Sequence, residues 1–122
     1  MFNSTISMLR VSNARQSQRF YEDRLGFRTT WEHDPGDGYP VFLEVRRDSV
    51  AFHLSEHAGD GPLAVQVYVN VADARKLFAE LIGRGVTGLE SPEEAEWGEL
   101  TFTLTDPDGN VLRFGSAIAS PS

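Results

Sequence analysis

The sequence contains no cysteine, which excludes disulfides, thiolate metal centres and thiol catalysis together. It has no apolar run approaching the roughly 20 residues a bilayer span requires. Its opening, MFNSTISMLR, lacks the basic and apolar regions of a secretory signal, so a cytoplasmic protein is expected. Positive charge is scarce. Eleven Lys and Arg stand against 18 Asp and Glu, a net charge of −7, which disfavours nucleic acid as a partner. That balance permits a cationic partner, although acidity also serves plain solubility. There is no Gly-rich phosphate loop and no Gly-x-Ser-x-Gly elbow, and isolated Ser, His and Asp residues carry no weight.

What is present is a repeat. A chain of 122 residues is the size of one domain with a real core. Its last hairpin, ELTFTLTDPDGNVLRFG (Glu99–Gly115), holds two strand-like runs around Asp106-Pro107-Asp108-Gly109, a strong turn signal. Sixty residues earlier VFLEVRRDSVAFHLS (Val41–Ser55) has the same form. At that spacing Phe42 overlies Phe102, Asp48 overlies Asp108 and His53 overlies Arg113. Ile6–Val11 and Gln66–Val71 open the two halves. Each opening strand leads into a helix, capped by Ser12 or Asn13 and by Asp73 respectively. The first helix closes at Gly26; the second closes at Gly85, one residue out of step. In the second helix Leu77, Phe78, Leu81 and Ile82 form a stripe expected to be buried. The expectation is a single α+β domain, 1–122, of two tandem βαβββ modules, 1–58 and 62–118. They should form a curved mixed sheet with helices on the outer face and an open concave cavity.

Candidate binding residues are mostly aromatic. Trp31 leads into a Gly- and Asp-rich loop, and Trp97 stands among Glu90, Glu93, Glu94, Glu96 and Glu99. Glu32, Asp34 and Asp37 cluster after Trp31. These acids are either solvated loops or rims around aromatic platforms suited to a planar cation. Phe42 shares a strand face with Glu44; Phe42 and Phe102 either line a groove or pack in the core.

Arg10-Val-x-x-Ala14, Phe20-Tyr21-x-x-x-Leu25-Gly26-Phe27 and Trp97-Gly98…Asp106-Pro-Asp-Gly-Asn110-x-Leu-Arg-Phe114 resemble the vicinal-oxygen-chelate superfamily across essentially the whole chain. That group includes glyoxalase I, extradiol dioxygenases, fosfomycin-modifying enzymes and bleomycin-resistance proteins. The Trp97-Gly98 pair and Asp48–Ser55 look most like the bleomycin-resistance branch. Enzymes of the superfamily hold a divalent ion at positions that superpose on Ile6, His53, Gln66 and Arg113. Isoleucine has no lone pair and arginine is a permanent cation, so no metal or other cofactor is expected. His53-x-x-x-His57 is a rival pair, but four residues along a strand span about 13 Å. The resemblance implies a metal-independent antibiotic-binding protein rather than an enzyme. It would sequester a cationic, partly planar, glycopeptide-like drug in a groove shared by a homodimer, with no nucleic acid or membrane partner. The implied ligand-binding residues are Trp31, Phe42, His53, Gln66, Tyr68, Trp97, Phe102 and Arg113. Gln66 replaces a family tryptophan, and neighbouring Tyr68 could compensate. Members of that branch exchange N-terminal strands, here Thr5–Val11. A glyoxalase-like lyase or a dioxygenase-like enzyme with an atypical metal site is the alternative, and a domain with an unrelated small ligand is a third.

Overall fold

The computed structural model describes residues 1–118; the last four residues of the expected 1–122 domain lie outside the described residues. β1 (Ser7–Arg10) leads into α1 (Ala14–Arg19), which continues into a wider π-helical turn over Phe20–Arg24. β2 (Arg28–His33), β3 (Phe42–Arg47) and β4 (Val50–Ser55) follow. The second half runs β5 (Gln66–Asn70), α2 (Ala74–Gly83), β6 (Glu93–Glu94), β7 (Glu99–Thr105) and β8 (Val111–Ala117). Two four-stranded sheets result, ordered β1-β4-β3-β2 and β5-β8-β7-β6. In each the opening strand runs parallel to the last and the other pairs are antiparallel. This is the expected α+β architecture, with the mixed sheet divided into two halves. Ser7–Arg10 pairs with Phe52–Ser55 of the same chain, and residues 1–6 have no strand partner.

Both helices begin on the expected cap. The Asn13 side chain accepts from the Gln16 N–H and that of Asp73 from the Lys76 N–H, each at 3.1 Å. α2 ends in a Schellman arrangement around Gly85 (φ 89°). The Val86 N–H donates to the Leu81 carbonyl and the Gly85 N–H to the Ile82 carbonyl, both at 3.0 Å. Gly26 does the same work after α1, but its neighbour Phe27 reaches one residue further back, to the Tyr21 carbonyl at 2.9 Å. The wider turn accommodates one extra residue in the first helix.

The helix-facing sides of both sheets share one core, including Leu9, Leu43, Phe52 and Leu54 from the first half and Val69, Leu104, Leu112 and Phe114 from the second. On α2 only part of the expected stripe is covered. Leu81 is buried, Leu77 and Phe78 are half-buried and Ile82 is exposed, because a sheet covers a narrower arc than four positions at i, i+1, i+4 and i+5.

The Asp106–Asn110 turn ties the halves together. Asp108 accepts from the Ser12 N–H at 2.8 Å and the Ser17 hydroxyl at 3.2 Å, while Asn110 Nδ2 donates to the Arg10 carbonyl at 3.1 Å. The Tyr21 hydroxyl donates to Asp106 at 2.9 Å from within the core. Burial first, then the Asp106 carboxylate, pushes that phenol well above its usual range, so it remains a neutral donor. Nearby, Arg47 grips both oxygens of Glu80, at 2.8 and 2.7 Å, and donates to the Leu25 carbonyl at 2.9 Å.

Strand register corrects the simple overlay. Met8 opposes His53 and Tyr68 opposes Arg113, so there the repeat spacing is 60 residues. Glu44 opposes His53, however, whereas Thr103 opposes Arg113, so β3 and β7 are related by 59. The extra residue in the first helix opens this offset. The turns then close it: Asp48 and Ser49 separate the paired Arg47 and Val50, while Pro107, Asp108 and Gly109 separate Asp106 from Asn110, its partner at 2.8 Å. The counterpart of Phe42 is therefore Thr101, and a slip of one residue turns a side chain to the opposite face of a sheet. Phe102 accordingly faces α2, buried against Phe78 and Phe114 at centroid distances of 5.6 and 5.2 Å. It belongs to the core and not to a groove.

Candidate functional site

The face of each sheet that turns away from the common core is open, and each carries an aromatic cluster. On the first sheet an irregularity in β2 between Thr29 and Trp31 lets Thr30 and Trp31 both reach that face. The Thr30 hydroxyl donates to Glu44 Oε2 at 2.6 Å. The Trp31 ring stacks on Phe42 at 5.4 Å and 11°. His53 stands edge-on to both rings, at 5.5 and 4.9 Å, with Nε2 3.0 Å from Glu44 Oε1. Beside this stack opens a cleft of 650 Å³ lined by Trp31, His33, Pro35, Tyr39, Phe42 and His57, among others. Glu44 is the site residue that sequence reasoning passed over. Its place beside Phe42 on alternate positions was visible; its 7% exposure and its contact with His53 were not.

The Thr30 hydrogen bond, assisted by His53, holds the Glu44 carboxyl below the usual carboxylate range despite burial. A depressed folded pKa gives stability that is present above the unfolded value, about 4.3, and is lost as pH falls through the folded one. Glu44→Gln is expected to flatten the acid side of the stability profile below about pH 4.3, measured by urea unfolding. A variant with the parent's slope would show that Glu44 is not part of the acid response. Glu80, held down by Arg47, and Glu32 and Asp34, held down by Arg15, supply the slope that remains.

On the second sheet the Arg113 guanidinium lies 4.8 Å over the Trp97 ring and donates to the Thr101 hydroxyl at 3.1 Å. Trp97 Nε1 donates to the Tyr68 hydroxyl at 3.3 Å, and Tyr68 in turn donates to Glu99. The Glu99 carboxylate pushes the Tyr68 phenol upward. Gly115 leaves room for that contact, since a Cβ there would stand 2.7 Å from Glu99 Oε1. Gln66 is exposed two residues before Tyr68, on the same strand face.

The structure thus gathers Trp31, Phe42 and His53 at one place and Tyr68, Trp97 and Arg113 at another, with Gln66 beside the second and Phe102 in neither. The two acidic rims also fare differently. Arg15 takes both Glu32 at 2.7 Å and Asp34 at 2.8 Å, so two of the three acids after Trp31 share one guanidinium within the chain. Glu93, Glu94 and Glu96 are exposed and form no ion pair among the described residues.

A divalent metal does not fit these donors. His53 is committed to Glu44, Ile6 has nothing to offer, and Arg113 brings a fixed positive charge to its position. Among the described residues no three His, Cys, Asp or Glu side chains converge. Nor is any helix among them long and apolar enough to cross a membrane.

The sequence profile of the glyoxalase superfamily matches residues 1–120. No curated protein sequence matches this chain. Among solved structures, a bleomycin resistance determinant encoded on the transposon Tn5 superposes with a TM-score of 0.79 at 23% identity, covering 97% of this chain and 100% of that one. A bleomycin-binding protein complexed with bleomycin gives 0.75 at 25% identity, covering 96% and 100%. The bleomycin-binding protein of Streptomyces verticillus, complexed with copper(II)-bleomycin, gives 0.74 at 24% identity and 98% of both chains. The chain therefore belongs to the glyoxalase superfamily, and its fold is that of the bleomycin-resistance proteins.

Proposed function

We propose that this protein binds a planar, cationic antibiotic of the bleomycin type and sequesters it without chemistry, in a groove completed between two copies of the chain. The observation that carries this reading is the arrangement of aromatic rings on two open sheet faces. Trp31 on Phe42 offers a flat, half-exposed platform with the Glu44 carboxylate behind it. Trp97 offers a second, beside glutamates that form no ion pair among the described residues. Both faces lie on the far side of their sheets from the common core, so they do not meet within one chain. A homodimer that sets the first half of one copy against the second half of the other would close a groove with rings on both walls. The binding of bleomycin by structurally similar proteins supports the same reading.

Titration of the protein with bleomycin is expected to quench tryptophan fluorescence with saturation at micromolar drug, and equilibrium sedimentation to give a dimer. Absence of any change at that concentration removes bleomycin as the ligand. A stoichiometric metal in the purified protein, lost on His53→Ala, would favour the glyoxalase-like enzyme instead.

A further inference from the structure

Among the described residues Arg113 is a cation without an anion. Its guanidinium has five N–H donors, yet it makes one hydrogen bond, from Nη2 to the Thr101 hydroxyl, and no carboxylate of the described residues lies within ion-pair distance. Its Nε is buried and has no partner among the described residues. Arg15, Arg47 and Arg84, by contrast, each grip carboxylates, at 2.7 to 2.8 Å. Among the described residues Arg10 also has a buried Nε without a partner, but its guanidinium reaches the Ala58 carbonyl, at 3.3 Å, and stacks on no exposed aromatic ring. Arg113 does not want for acids nearby. Glu99 lies on the same sheet, but its carboxylate is held by the Tyr68 hydroxyl. The stack on Trp97 and the bond to Thr101 fix the guanidinium plane on an open face, beside a tryptophan that is 57% exposed.

From this geometry we infer that Arg113 and Trp97 form an oxyanion-binding subsite, which takes a carboxylate or similar group carried on a flat aromatic ring. The guanidinium supplies charge and paired donors to the acid, and the indole supplies a face to the ring. The surrounding Glu93, Glu94 and Glu96 weaken the attraction for a net-anionic ligand without cancelling the direct contact with Arg113, so a molecule that also carries a positive charge elsewhere is favoured further. This deepens the proposed function and rests on reading the open faces as a small-molecule groove. It adds that the ligand is zwitterionic, with its acid on the second sheet and its cationic, planar part on the first.

The probes are 2-naphthoate and its uncharged amide, 2-naphthamide, followed by the indole N–H resonances in ¹H–¹⁵N spectra, with Trp31→Phe assigning the two signals. Naphthoate is expected to shift the Trp97 resonance and to bind more tightly than the amide. Arg113→Gln should weaken naphthoate about tenfold or more and change the amide by less than about twofold. Arg113→Lys, which keeps the charge without the fork, should fall between. It also serves if the glutamine variant fails to fold. Equal affinity of the parent for both probes, equal losses for both in the variants, or no shift at Trp97 would overturn the subsite. Bleomycin measured in parallel separates the two proposals: naphthoate binding without bleomycin binding removes the drug and leaves the subsite, and the reverse removes the subsite alone.

Discussion

Asp106→Ala is expected to destabilise the protein by about 3–5 kcal/mol, lowering its melting temperature by on the order of 10 °C. One carboxylate, 5% exposed, accepts four hydrogen bonds. Oδ1 takes the backbone N–H groups of Asp108 and Asn110, at 2.8 and 2.9 Å, and Oδ2 takes the Tyr21 hydroxyl and Asn110 Nδ2, at 2.9 and 3.0 Å. Alanine leaves all four donors without that acceptor, in a place where water does not readily replace it. Each orphaned donor costs about 1–3 kcal/mol, and relaxation of the turn recovers part of the sum. Asp106→Asn is the informative intermediate. It can keep an oxygen toward the two backbone donors, but its NH₂ then faces the NH₂ of Asn110. The Tyr21 hydroxyl can turn and accept; the Asn110 amide cannot without giving up another bond. Urea unfolding should therefore rank the parent above the asparagine variant and that above alanine. An alanine variant within about 1 kcal/mol of the parent would mean that the turn is ornamental and that the two halves are held by the apolar core alone.

That turn is also where the sequence was most legible. Asp-Pro-Asp-Gly is turn chemistry under any fold, and Gly109 takes the positive φ, 83°, that such turns require. The helix caps were readable for a similar reason, because Asn13 and Asp73 act on N–H groups only three residues away. What could not be read was the face each strand presents, since that depends on counting residues correctly through everything upstream. The spacing of Gly26 and Gly85 already carried the warning: one residue too many in the first helix. A constant spacing of 60 absorbed that discrepancy and set Phe42 over Phe102, when strand pairing sets Phe42 over Thr101. The alternation of β7 did not help, because Thr101 and Thr103 suit either face and every residue from Leu100 to Thr105 is β-branched or apolar.

Partnership between charged groups was equally hidden. Arg15 and Glu32 are 17 residues apart, and only the curl of β2 back along α1 shows that two of the three acids after Trp31 are tied to one guanidinium. The same distance effect hid the pairing of Glu44 with His53, which needs the hairpin register to be known. The sequence presents Arg113 as a residue unable to hold a metal, and the resemblance presents it as a ligand contact. That it has no carboxylate partner among the described residues follows only from the fold.

The second large effect separates the platform from the core. Trp31→Ala should weaken bleomycin binding, read by calorimetry, about 30-fold or more, equivalent to about 2 kcal/mol. The melting temperature should hardly change. Trp31 is 44% exposed and lies on an edge strand, so its removal costs the fold little beyond one face of Phe42. A bound planar ring would lose an entire stacking surface, and such anchors dominate the energy of binding sites. Phe102→Leu is the matching control. Its ring packs between Phe78 and Phe114, so the substitution should cost stability, about 1–2 kcal/mol, and leave drug affinity within about twofold. The sequence overlay would make the two substitutions alike, and the register makes them opposite. Equal loss of binding in both variants would restore Phe102 to the groove. Loss in neither would place the drug elsewhere on the molecule.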